Sequence, residues 1–138
     1  MDLLVNIDVD DLERAMRFYT GAFDLRVGRR FGASAAELLG GTSPIYLLEK
    51  APGSAATSQS SQQRDYARHW TPVHLDLVVA DITGSVERAV KAGATLEQPI
   101  RSHEWGKLAL MADPFGNGFC LVQFVGRGYD EIAGDAPQ

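Results

Sequence analysis

His74 and Asp76 stand two residues apart in a run that alternates apolar and other side chains, so an extended chain projects imidazole and carboxylate from one face. That pair is suited to binding a divalent cation or to hydrogen bonding a small polar molecule. Asn6 occupies a comparable place in an earlier run, where a buried amide must find a partner or pay a desolvation cost. Trp105, flanked by His103 and Glu104, offers an aromatic wall with a polar rim, as do Tyr46 and Phe31. Core packing accounts for these aromatics nearly as well. Cys120 is the only cysteine. It has no internal disulfide partner, and a lone cysteine in a strand commonly packs as a small hydrophobe.

The elements that carry these residues occur twice. The segment from Leu4 to Leu12 lays over His74 to Ile82 at a constant offset of 70. Leu3, Val5, Ile7 and Val9 alternate in the first copy, and Val73, Leu75, Leu77 and Val79 in the second, the period of a strand with one buried face. The opposite faces carry Leu4, Asn6 and Asp8, then His74, Asp76 and Val78, a mixed set suited to lining a cavity rather than filling a core.

An aspartate follows each strand where a helix N-cap is wanted, Asp10 or Asp11 in one copy and Asp81 in the other. Leu12, Ala15, Met16 and Tyr19, then Ile82, Val86, Ala89 and Val90, recur at helical spacing. The first helix is expected to end near Gly21 and the second at Gly93. Three shorter strands follow each helix: residues 25–31, 35–40 and 44–49, then 94–100, 105–111 and 118–124. The Gly40-Gly41-Thr42-Ser43 and Asp113-Pro114-Phe115-Gly116-Asn117-Gly118 stretches connect strand to strand, so neither is a phosphate loop, which feeds a helix.

Between the copies, residues 51–68 shift to Pro, Gly, Ser, Ala, Thr and Gln, the composition of a mobile connection or a flap. His69 and Trp70 follow, either folding over a cavity mouth or anchoring the linker by packing Trp70 on the sheet. The tail, 126–138, is polar and acidic near its end, with Asp130, Glu131 and Asp135, and is expected to fray.

The 138 residues are 45% hydrophobic, enough for one domain with one core. Thirteen Lys and Arg against eighteen Asp and Glu leave a net charge of -5, which argues against nucleic acid and anionic membranes and favours a cationic ligand. No stretch approaches the roughly 18 apolar residues of a membrane span. With no basic leader and apolar run at the start, a cytoplasmic location is expected.

The duplicated strand-helix-three-strand unit, the Phe18-Tyr19 pair closing the first helix, and Asp113-Pro114-Phe115-Gly116-Asn117 before the last strand resemble the vicinal oxygen chelate superfamily. This group includes glyoxalases, extradiol dioxygenases, fosfomycin-resistance proteins and bleomycin-binding proteins. The resemblance implies an α+β fold: two tandem βαβββ modules, at about 1–50 and 69–125 of a single domain spanning 1–138, forming a curved, barrel-like mixed sheet with helices outside. It implies a homodimer, with cavities formed within one chain or across two.

Metal-dependent members place a His or Gln on the first strand and a Glu on the last strand of both modules. The corresponding positions here are Leu4, Tyr46, His74 and Cys120, and only His74 fits. No metal or other cofactor is therefore expected, with His74, Asp76 and Cys120 as the alternative donor set for a divalent cation. The resemblance also sets Cys120 beside His74, where an imidazole can draw a thiol into its reactive thiolate form.

The ligand-binding set is Asn6, Tyr46, His74, Asp76, Trp105 and Cys120, with no catalytic residue assigned. The functions implied are a small-molecule-binding protein without the family's usual metal centre, a metal-dependent lyase, isomerase or dioxygenase, or an accessory domain with a vestigial cavity. Leu4, if fully buried, costs roughly 2–5 kcal/mol on truncation to alanine.

Overall fold

The structure, a computed structural model, describes residues 1–134. Module 1 comprises β1 (Val5–Val9), α1 (Leu12–Ala22), β2 (Arg26–Phe31), β3 (Ala35–Leu39) and β4 (Ile45–Glu49). Module 2 comprises β5 (Leu75–Val78), α2 (Ile82–Ala92), β6 (Thr95–Leu96), β7 (Arg101–His103), β8 (Gly106–Ala112) and β9 (Gly118–Phe124), followed by a short 3-10 turn at Gly128–Glu131. Asp135 and the end of the tail lie outside the described residues.

The fold is α+β, with two curved mixed sheets that do not close into a barrel. Their strand orders are β1-β4-β3-β2 and β5-β9-β8-β6, with β7 also pairing β8. In each sheet the first strand runs parallel to the last, placing Asn6 opposite Tyr46 and Asp76 opposite Cys120. β1 and β5 are therefore both edge strands. The expected strand over 94–100 shortens to the two residues of β6, and an additional short strand, β7, follows beyond Pro99, which has no N–H for a ladder.

The repeat extends to helix initiation. Asp11 accepts from the Arg14 amide and Asp81 from the Gly84 amide, which settles the first N-cap on Asp11. A last-strand side chain caps a further orphan amide in each module: Glu49 accepts from Leu12 N and Gln123 from Ile82 N. Gly93 ends α2 at φ 125°, while α1 runs one residue beyond Gly21. Both helices bury the stripe expected of them, except that Val90 is exposed.

One continuous core joins the modules, from Val9, Leu12 and Met16 through Leu47 to Met111, Phe115 and Leu121. The helices cover their own sheets and also pack on each other along the module boundary. Arg88 of α2 donates to Gly21 O and Phe23 O at the end of α1 and pairs with Asp24 at 2.6 Å. A cation is favoured there because the last helical carbonyls lack intrahelical partners. No described helix is long and apolar enough to cross a membrane.

The tightest polar tie between modules is Asp113. Its Oδ1 accepts from Phe115 N and Asn117 N, while Oδ2 accepts from Asn117 Nδ2 and, at 2.5 Å, from the Tyr19 hydroxyl of α1. Gly116 in the same turn has φ 84°, and a β-carbon there would collide with Ala67 O. The Asp113-to-Gly118 stretch is thus a turn, as expected, and also a joint where module 1 and the linker meet module 2.

Leu3 and Val73, expected on the buried faces, precede their strands and are 65% and 75% exposed. Leu4 is 60% exposed, so the stability cost expected from its burial does not apply. Tyr19→Phe should lower stability by about 1–3 kcal/mol, because a buried carboxylate oxygen loses a donor. Urea unfolding checks this, and an unchanged midpoint would remove the Tyr19–Asp113 bond from the account.

Candidate functional site

The edges of β1 and β5 border a cleft of about 810 Å³, whose lining includes Asn6, Asp8, Tyr19, Tyr66, Trp70 and His74. That volume suits a drug-sized molecule. Tyr19 belongs to the Asp113 joint; burial, reinforced by the neighbouring carboxylate, raises its pKa well above the ordinary phenol value. Asn6 is exposed, so water satisfies its amide and the expected burial cost does not arise.

The linker forms part of this site. Arg64 donates to Asp8 Oδ2 at 2.7 Å, to Ser54 Oγ and to Ala55 O, and Tyr66 donates to Lys50 O. His69 contacts Asn117 Oδ1 at 2.9 Å through Nε2. A connection expected from composition to be mobile is thus tied to both modules: Arg64 and Tyr66 hold it to module 1, while Arg68, through Glu97, and the adjoining His69, through Asn117, hold it to module 2. His69 is the anchor. Trp70 does not pack on the sheet: it is 82% exposed at the cleft.

His74 also borders a second hollow of about 190 Å³, shared with Arg68, Glu97, Leu110 and Cys120. Arg68 grips Glu97 through two bonds of 2.8 and 3.0 Å, which holds the Glu97 carboxyl below its ordinary pKa. Here His74 and Asp76 meet, with Nε2 3.2 Å from Oδ1. Ligand atoms of His74, Asp76 and Cys120 all lie within 4.8 Å of one another. The Cys120 thiol is not activated by this neighbourhood: burial, then the Asp76 carboxylate, push its pKa up to about 11. This setting argues against the reactive-thiolate alternative, because the charged neighbour at the thiol is an anion rather than a cation.

Of the expected ligand-binding set, Asn6 and His74 line the larger cleft and Cys120 the second hollow, with Asp76 beside His74 and Cys120, while Tyr46 and Trp105 sit apart. Tyr46 donates to Glu37 Oε2 at 3.0 Å, and Arg29 grips the same carboxylate through Nε and Nη2. Arg29 also lies over the Phe31 ring. Trp105 stacks on His103 with ring centroids 5.0 Å apart and joins Phe124 and Tyr129 in an aromatic cluster. Glu37, Arg64 and Arg68 were not anticipated. Glu37 lay in an expected strand, but its Arg29 and Tyr46 partners sit on neighbouring strands, and strand pairing is a tertiary property.

The family's four-position metal set does not fit this chain. Leu4 has no donor, the Tyr46 hydroxyl is engaged by Glu37, and Cys120 stands where a carboxylate is wanted. Among the described residues the convergent donors are His74, Asp76 and Cys120, all from module 2.

Against known proteins, the glyoxalase-like domain family model matches residues 4–122, and the chain belongs to that family. Uncharacterised proteins Mb0911c of Mycobacterium bovis and Rv0887c of Mycobacterium tuberculosis are each 33% identical over 128 residues, 85% of this chain and 79% and 71% of theirs. Among solved structures, a glyoxalase/bleomycin resistance protein/dioxygenase family enzyme from Burkholderia phytofirmans aligns with TM-score 0.74 and 23% identity, covering 91% of this chain and all of that one. The fosfomycin resistance protein FosX of Mesorhizobium loti aligns with TM-score 0.66 and 21% identity, covering 96% and 97%. The structural matches share the fold.

Arg29, through its hydrogen bonds, lowers the Glu37 pKa from 4.5 to about 2. A depressed carboxylate stabilises the fold above its unfolded pKa, and that contribution fades as pH falls from about 4.5 toward 2. Glu37→Gln should remove this acid-sensitive component, so the stability gap between wild type and variant narrows across that window in pH-dependent unfolding. A constant gap would show that the pair is not coupled to folding.

Proposed function

We propose that this protein binds a small molecule in the cleft between β1 and β5, without the two-module, four-position metal centre of metal-dependent relatives. The observation that carries this reading is the 810 Å³ cleft itself, walled by aromatic, amide, carboxylate and imidazole groups. Tyr66 and Trp70 offer flat apolar surfaces, while Asn6 and His74 offer directional hydrogen bonds. Asp8 is paired with Arg64, so it supports a neutral or weakly cationic ligand rather than a strongly cationic one. Nucleic acid is no part of this reading, and the location is cytoplasmic.

A second reading, a metal-dependent lyase, isomerase or dioxygenase, draws on one observation, the convergence of His74, Asp76 and Cys120. Chelator-treated protein separates the two: the binding reading expects ligand uptake to survive metal removal. Screening metal-stripped protein by thermal shift against neutral and cationic planar aromatics should yield stabilising compounds. His74→Ala should then weaken them about fivefold, the loss of one hydrogen bond of about 1 kcal/mol, without lowering stability. An unchanged affinity would sink the site.

The reading includes a homodimer. β1 and β5 are unpaired edges flanked by the exposed apolar residues Leu3, Leu4 and Val73, and an open apolar edge is a pairing surface. Light scattering should give twice the 15.0 kDa chain mass, and Val73→Lys should shift it toward the monomer. A monomer at micromolar concentration would end the dimer reading while leaving the cleft untouched.

A further inference from the structure

We propose that His74, Asp76 and Cys120 form a three-donor site for a borderline-soft divalent cation of the zinc class, built by the second module alone. Parallel pairing of β5 with β9 sets Asp76 directly opposite Cys120, and the two-residue strand period brings His74 to the same face. The result is one nitrogen, one oxygen and one sulfur donor within 4.8 Å of one another. Donor-to-metal distances of about 2.0–2.3 Å place tetrahedral ligands about 3.3–3.8 Å apart, so small side-chain rotations close the set. His74 and Asp76, with side chains 56% and 39% exposed, are free to make them, whereas Cys120 is fixed in the sheet.

The donor chemistry selects the ion. Magnesium and calcium require oxygen donors, whereas a thiolate with an imidazole favours zinc or cobalt. Binding takes the thiol as thiolate and releases its proton to solvent. The surrounding hollow leaves room for water or a ligand oxygen at the fourth position, and Arg68 across it is already neutralised by Glu97. This site goes beyond the proposed function: it requires neither module 1 nor a bound organic ligand.

The test uses purified, untagged full-length protein and metal ions alone. Titration with zinc should saturate at one ion per chain, while magnesium and manganese do not compete. Cobalt(II) should produce the intense thiolate-to-metal charge-transfer absorption that only sulfur ligation gives. His74→Ala, Asp76→Asn and Cys120→Ser should each weaken zinc binding about 100-fold or more, since loss even of a supporting contact to a ligand costs about 10–100-fold. Circular dichroism of the metal-free variants separates lost ligation from lost fold. Failure of wild type to bind zinc, cobalt binding without the sulfur band, or full affinity in folded Cys120→Ser would overturn the proposal. None of these outcomes touches ligand uptake by chelator-treated protein, on which the binding reading stands.

Discussion

The buried Asp113 carboxylate is the constraint on which the rest of this structure depends. Taking a charge out of water is expensive unless donors surround it, and here four are supplied: two amides of its own turn, the Asn117 side chain and the Tyr19 hydroxyl. Three come from the turn itself, so the turn is self-consistent before module 1 arrives. The fourth crosses 94 residues of sequence and sets where α1 lies against module 2. Tyr19 also lines the cleft, so the bond that joins the modules helps shape the cavity between them.

From that joint the site follows by geometry. Phe115 fills the core beside Phe18, Gly116 lets the linker backbone close on the turn, and Asn117 meets His69. The last residues of the linker are then held to module 2 by the Arg68–Glu97 pair and to module 1 by the Arg64–Asp8 pair. A segment with little apolar bulk becomes a cleft wall because its few charged and aromatic residues are satisfied on either side. Its order is borrowed from the modules rather than supplied by a core of its own.

The modules share an architecture but have diverged on their polar faces. Module 1 holds the Arg29–Glu37–Tyr46 network, where a buried carboxylate is satisfied internally and offers little to a ligand, beside Asn6 and Asp8 on the cleft. Module 2 keeps half-exposed imidazole and carboxylate groups above a buried thiol. Among the described residues the convergent metal-type donors, His74, Asp76 and Cys120, all lie in module 2. The helix caps are alike in both modules: Glu49 and Gln123 perform one task in equivalent places.

The sequence by itself determined the repeat, the element types and most boundaries, because these rest on local periodicity: two-residue alternation, helical stripes, capping aspartates and Gly93. It also showed that Leu4 and Tyr46 break the family's ligand pattern, since donor chemistry is a property of residue type. It missed the early end of β6 before Pro99 and the extra strand β7, and overextended both first strands to Leu3 and Val73, where alternation continues but no partner strand remains to bury it. Only the tertiary structure decided which side chains meet. Asp76 opposite Cys120, Glu37 between Arg29 and Tyr46, and Arg64 on Asp8 depend on strand register and on the path of the linker. Trp105 belongs to an aromatic cluster rather than the cleft for the same reason. Pattern gives the face a residue occupies, whereas its neighbours are set by the balance of burial and polar satisfaction over the whole chain.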